Sequence, residues 1–188
     1  MNSNVLKIKS AEAFKKWLIK HHKTEKECYI ALKRGKPIDD KSFWYIDAVE
    51  VALCFGWIDS TVRDIDGVKY QRFGPRKKGS FWSELNKERV RRLEKLGLMT
   101  DDGMAVLPDM DLSSFKIDKE VELALKEVGA LENFKKFPSL YQRIRSYNVA
   151  FYKKDKIKFE KSLSRLIEKT LKGEMYGEWN DYGRLINY

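Results

Sequence analysis

Side chains that bind metals or carry redox chemistry are scarce in this chain. It has two cysteines, Cys28 and Cys54, and two histidines, adjacent as His21–His22. A zinc site takes about four nitrogen or sulfur ligands at suitable spacing, and no CxxC pair is present. A zinc centre is therefore discounted, and no other metal or cofactor is expected. Long apolar runs are also missing. The longest candidate, Ala48 to Ile58, is interrupted by Glu50 and Gly56, well short of the roughly 18 residues of a membrane span. The first ten residues alternate Lys7 and Lys9 with Leu6 and Ile8 and lack the apolar stretch of a signal peptide. Together these absences predict a cytoplasmic protein, where a disulfide is not expected. No internal repeat and no low-complexity tract is found.

What is present suits a folded chain. Its 188 residues fit one domain, or one domain with a helical extension. Hydrophobic residues make up 43%, and five Trp, nine Tyr and ten Phe argue against disorder. The formal charge of +10 is unevenly spread. Residues 100–132 are acidic and residues 133–172 basic. The two stretches can neutralise each other, or the basic one can offer a face to an anionic partner.

Periodicity and turn signals predict an α+β protein: a small antiparallel sheet of about three strands with surrounding helices, followed by a helical C-terminal module. The division expected is 1–112 for the α+β core and 113–188 for the module and tail. A first helix follows Ser10 as N-cap, with Phe14, Trp17 and Leu18 on one face. It ends near His21–His22, where histidines suit the negative helix end and a catalytic or metal role is disfavoured. Glu27–Lys33 reads as a strand, and Gly35, Pro37 and Asp39–Asp40 as a loop. A second helix capped by Ser42 runs to about Phe55 and stops at Gly56. Strands at about 58–63 and 68–73 are joined by Asp66–Gly67, a strong hairpin signal. A third helix covers roughly 83–96, and Thr100–Leu107 adds a further helical turn or two before Pro108. Later helices start at Asp118, Leu131, Ser139 and Asp155, broken by Gly129, Pro138 and Gly173. The aromatic tail from Met175 is expected to pack on the body.

Two stretches are unusual for a plain core. One is Ala52-Leu53-Cys54-Phe55-Gly56-Trp57-Ile58-Asp59-Ser60. The other runs Gln71-Arg72-Phe73-Gly74-Pro75-Arg76, then Ser80-Phe81-Trp82-Ser83-Glu84-Leu85-Asn86-Lys87-Glu88-Arg89, and closes in Gly97-Leu98-Met99. In order and spacing they resemble the signature of the YdeI/OmpD-associated, or bacteriocin-protection, family: ALCFGWID, QRFxPR, SxWSxxNxxR and GxM. Asp47-Ala48-Val49 and the opening Trp17-Leu18 to His22 are similar as well. The chain departs from the family before its last helix. Many members carry an AKxxETR-type run there, where this chain has Tyr147 to Asp155, so a function tied to that run is not carried over. The resemblance implies a role in protection against bacteriocins or cationic antimicrobial peptides, without implying a mechanism.

The candidate ligand-binding residues are Trp57, Asp59, Arg72, Arg76, Trp82, Ser83, Asn86 and Arg89. The polar ones cluster at the ends of expected elements, after Gly56, after Phe73 and before the third helix, where side chains can converge and backbone groups remain free. Arginine forks suit carboxylate or phosphate, helix N-terminal amides add to an anion site, and the indoles offer stacking walls. Asp47, Glu50 and Cys54 share a helix face, and paired carboxylates there could act as acid and base in an enzyme of unknown reaction. The competing reading is a structural network, with Asp47 or Glu50 paired to Arg72 or Arg89, the tryptophans in the core and Ser83 or Asn86 only capping. Cys54 near a helix C-terminus reads as a small buried hydrophobe. Nucleic-acid binding through Arg76-Lys77-Lys78 and Lys153-Lys154-Asp155-Lys156-Ile157-Lys158 is a possible alternative partnership, but is not favoured because no nucleic-acid motif accompanies them.

Overall fold

The structure is a computed structural model that describes residues 4–38 and 40–188. Of the expectations above, those on Asp39 and on the first three residues lie outside the described part. The chain forms two compact units: Met1–Phe81 with Arg89–Pro108, and Trp82–Glu88 with Asp109–Tyr188.

The first unit is built on one four-stranded sheet, of spatial order β1-β2-β4-β3, with helices against it. Its strands are β1 (Val5–Leu6), β2 (Cys28–Ala31), β3 (Trp57–Ile65) and β4 (Val68–Pro75). The α+β class stands, with one strand more than expected. The short β1 pairs with β2 in parallel, while the other pairings are antiparallel. Asp66 and Gly67 close the β3–β4 hairpin at positive φ, 52° and 78°, as a two-residue primed turn requires.

Helix α1 (Ala11–His21) starts at Ser10, whose hydroxyl accepts from the Ala13 amide at 3.2 Å. Helix α2 (Tyr45–Cys54) begins two residues later than expected. Its N-cap is Trp44 without a side-chain bond, because the Ser42 hydroxyl and amide are both engaged by Asp40. Phe14 and Leu18 of α1 and Ala48, Val49, Ala52 and Leu53 of α2 are buried with Cys28, Ile30 and Phe73 of the sheet. Tyr29 of β2 is fully buried, as are its neighbours Cys28 and Ile30, with the Arg63 guanidinium 4.9 Å above the tyrosine ring. Helix α4 (Asp101–Met104) is capped by Thr100, whose hydroxyl also donates to the Cys54 carbonyl at 2.6 Å. Buried Gly103 lets α4 rest directly on the C-terminal backbone of α2. A Cβ there would meet the Cys54 carbonyl carbon at 2.8 Å and the Leu53 oxygen at 3.1 Å.

Helix α3 (Glu84–Lys95) contributes residues to both units, up to Glu88 in the second and from Arg89 in the first. The second unit is otherwise helical: α5 (Lys119–Glu127), α6 (Leu131–Lys135), α7 (Ser139–Ala150) and α8 (Lys156–Leu171), preceded by a 3-10 turn at Leu112–Ser114. Asp118 and Asp155 cap α5 and α8 with their carboxylates, as their positions suggest. Ser139 does not cap α7; it is the first helical residue, behind Pro138. Val121, Leu125, Phe134, Tyr141, Ile144 and Leu166 form the core. Trp179 of the tail is buried against it, 5.5 Å from the Tyr141 ring and edge-on.

Candidate functional site

Strand register decides which motif residues of the first unit share a face. Asp59 pairs with Phe73 and Trp57 with Pro75, so both side chains lie on the face of Phe73. Arg72, the neighbour of Phe73, pairs with Tyr29 and belongs to the opposite face. The sheet therefore does not bring Arg72 together with Trp57 and Asp59. The Nε of Arg72 donates to Glu27 at 2.7 Å and its Nη1 to the Ser60 hydroxyl at 2.9 Å. The Arg72 hydrogen bond is the main cause that holds the Glu27 carboxyl below its ordinary range.

On the Phe73 face, Trp57 is buried and its Nε1 donates to the His22 carbonyl at 3.2 Å. Asp59 accepts from the Tyr45 hydroxyl at 2.6 Å. Burial, followed by the Asp59 charge, pushes the Tyr45 hydroxyl above its ordinary range, and the cation of Arg89 acts against that. Arg34 covers the Tyr45 ring at 4.3 Å and donates to Gln71. The Gln71 amide donates to the Ser60 and Thr61 carbonyls at the β3 bulge. The polar cluster is thus Arg34, Tyr45, Asp59 and Gln71, near the charge of Arg89. Sequence reasoning missed Arg34 and Tyr45. Arg34 sits in a Gly-Lys-Pro loop and Tyr45 opens a helix, and neither position marks contact with a strand residue. Arg76 donates from Nη1 to the Phe81 carbonyl at 3.0 Å and contacts the Ser80 hydroxyl at 3.4 Å.

Of the remaining candidates, Trp82, Ser83 and Asn86 belong to the second unit. Trp82 is buried, and Ser83 accepts from the Asn86 amide at 3.2 Å, opening α3. The carboxylate Glu50 is bound by Arg92 at 2.8 Å, not by Arg72. Asp47, Glu50 and Cys54 do share a helix face, lining a cavity of about 150 Å³ with Val51, Leu93 and Leu98. Burial pushes the Cys54 thiol up to about 11 and the Cys28 thiol up to about 12, so neither is a ready nucleophile at neutral pH. His22 lies between the Leu18 carbonyl (Nδ1, 2.6 Å) and the Asp102 carboxylate (Nε2, 3.0 Å). Among the described residues, no three His, Cys, Asp or Glu side chains are grouped to hold a metal ion. No described helix is long and apolar enough to cross a membrane.

Basic side chains fall into two groups. The run 153–158 is largely tied up: Lys153 reaches Asp118 and Glu120 at 3.1 and 3.2 Å, and Lys158 reaches Asp155 at 2.7 Å. In the first unit, Lys9, Lys33, Lys41 and Lys69 line an open basin of about 590 Å³. Lys33 meets Asp40 at 2.7 Å. Among the described residues, no ion pair holds Lys9, Lys41 or Lys69.

The chain belongs to the family described as Domain of unknown function (DUF8412), whose model matches residues 6–106, just over half of its length. No curated protein and no solved structure matches it.

Proposed function

We propose that this chain binds a small anionic ligand through the family-matched region and does not transform it. We further propose that binding serves, in the cytoplasm, the protection against bacteriocins or cationic antimicrobial peptides that its resemblance to the YdeI/OmpD-associated family implies. The lysine basin carries this reading. Lys9, Lys41 and Lys69 line one concavity without an ion pair to a carboxylate among the described residues, and lysine is an effective point charge for phosphate-like anions. Binding without chemistry is supported by the raised thiols and by Tyr45 and Asp59 being bonded to each other. In a thermal-shift screen, phosphate, pyrophosphate and citrate should raise the Tm of the wild type and not that of a Lys41→Gln/Lys69→Gln variant. Equal shifts in both proteins, or none in either, would sink the proposal. The protective role is tested separately: a deletion strain with unchanged sensitivity to a panel of bacteriocins and cationic peptides would remove it.

The same lysines favour a second reading, in which the anion is a nucleic-acid backbone. Saturable binding of short DNA or RNA that weakens steeply with salt would support it; its absence after heparin chromatography would end it.

A further inference from the structure

We propose a second anion site, in the helical unit and distinct from the lysine basin, that takes a phosphomonoester between Arg145 and Arg165. These two guanidiniums line a cavity of about 370 Å³ together with Asn148, Ser162, Tyr152 and Tyr176. Both rest on one ring: Arg145 lies 4.6 Å and Arg165 4.7 Å from the Tyr176 centroid. A cation over an aromatic ring is favourable, but two like charges on one ring repel each other, and the Arg165 charge does act against that of Arg145. No carboxylate among the described residues makes an ion pair or hydrogen bond with either guanidinium. Glu178 acts on Arg145 only through its field, and the buried Nε of Arg145 has no hydrogen-bond partner. Burial holds Arg145 below its ordinary range, and the Arg165 charge adds to that.

Arg143, two residues before Arg145, shows how this chain treats an arginine that serves structure. It is buried, its Nη2 donates to Glu88 at 2.7 Å, and its Nε lies 3.6 Å from Glu84. Arg145 and Arg165 lack such partners, yet Arg145 is held in place. Gly177, at φ +70°, brings the tail backbone against the guanidinium so closely that a Cβ would collide with it. An open, two-cation cavity with a fixed arginine and neutral amide and hydroxyl groups suits a doubly charged, multidentate oxyanion. A phosphomonoester is close to that charge at neutral pH and matches the planar donor fork of arginine. The exposed rings of Phe151 and Tyr152 on the cavity wall suit an organic group on the ester.

Calorimetric titration of the full chain with inorganic phosphate and with phenyl phosphate tests the site. The wild type should bind phenyl phosphate saturably at one site, and more tightly than inorganic phosphate. Arg165→Gln, an exposed position, and Arg145→Lys should each weaken binding by at least about tenfold, as expected for loss of a charge-assisted fork. Lys69→Gln should leave it unchanged. Absence of saturable binding to the wild type overturns the proposal, as does unchanged affinity in Arg165→Gln, or loss of binding in Lys69→Gln instead. Should Arg145→Lys fail to fold by circular dichroism, Arg165→Gln decides alone.

Discussion

The sheet unit and the helical unit treat arginine differently. In the first, several arginines are drawn into polar partnerships across elements: Arg72 to Glu27 and Ser60, Arg34 to Gln71, Arg92 to Glu50, with Arg63, over the Tyr29 ring, as the exception. In the second, Arg143 is enclosed by two glutamates while Arg145 and Arg165 rest on a tyrosine ring. The contrast teaches that arginine content alone does not mark a site. A guanidinium with a carboxylate at hydrogen-bond distance is already neutralised, and one held only by an aromatic face retains charge for a ligand.

The sharpest way to break this comparison is Arg143→Met. It removes the guanidinium partner of Glu84 and Glu88, both buried, and should cost about 3–5 kcal/mol in urea unfolding, the usual penalty for removing one partner of a buried ion pair. Lys87, 3.0 Å from Glu84, and the Tyr188 hydroxyl, 2.8 Å from Glu88, soften the loss without replacing the guanidinium. A cost below about 1 kcal/mol would mean that Arg143 is no more structural than its neighbours.

Gly103→Ala tests close backbone packing in the sheet unit. Its Cβ would press on main-chain atoms of Leu53 and Cys54, which cannot rotate away, so a loss of about 2–3 kcal/mol is expected from the same unfolding measurement. The native fluorescence spectrum should be kept if α4 merely shifts.

Asp40 provides a pH-dependent case. Lys33 first, then the Ser42 amide, hold its carboxyl down at about 2. A depressed carboxyl stabilises the fold fully above its ordinary value and loses that contribution as pH falls through the native value. The Tm advantage of wild type over Asp40→Asn should therefore be constant above about pH 4, shrink between pH 4 and 2, and vanish below. An advantage independent of pH across that window would assign the effect to shape instead of charge. The smallest effect belongs to Arg165→Gln, which breaks no ion pair and should change stability by no more than about 0.5 kcal/mol. Paired with the large loss in Arg143→Met, that result would sharpen the distinction between a structural arginine and one available to a ligand.

Local chemistry was legible in the sequence wherever neighbours along the chain carry it. Asp66–Gly67 makes the hairpin because both residues tolerate positive φ. Ser10, Asp118 and Asp155 open helices where expected because each cap needs only an amide two or three residues ahead; Thr100 caps α4 in the same way, where the sequence suggests only a helical turn or two. Ser42 misled because Asp40, two residues before it, competes for its hydroxyl and amide. The edge strand β1 escaped notice because two residues carry no periodicity.

By itself, then, the sequence determined the α+β class, the hairpin, most helix starts and the absence of a long apolar helix, since these depend on steric and hydrogen-bonding preferences within a few residues. Only tertiary structure decided the sites. Arg72 and Asp59 are parted by a one-residue offset in register that reverses the face. Arg145, Arg165 and Tyr176 are gathered from two helices and a tail around a single ring. Both outcomes depend on which distant segments meet, and no local preference encodes that.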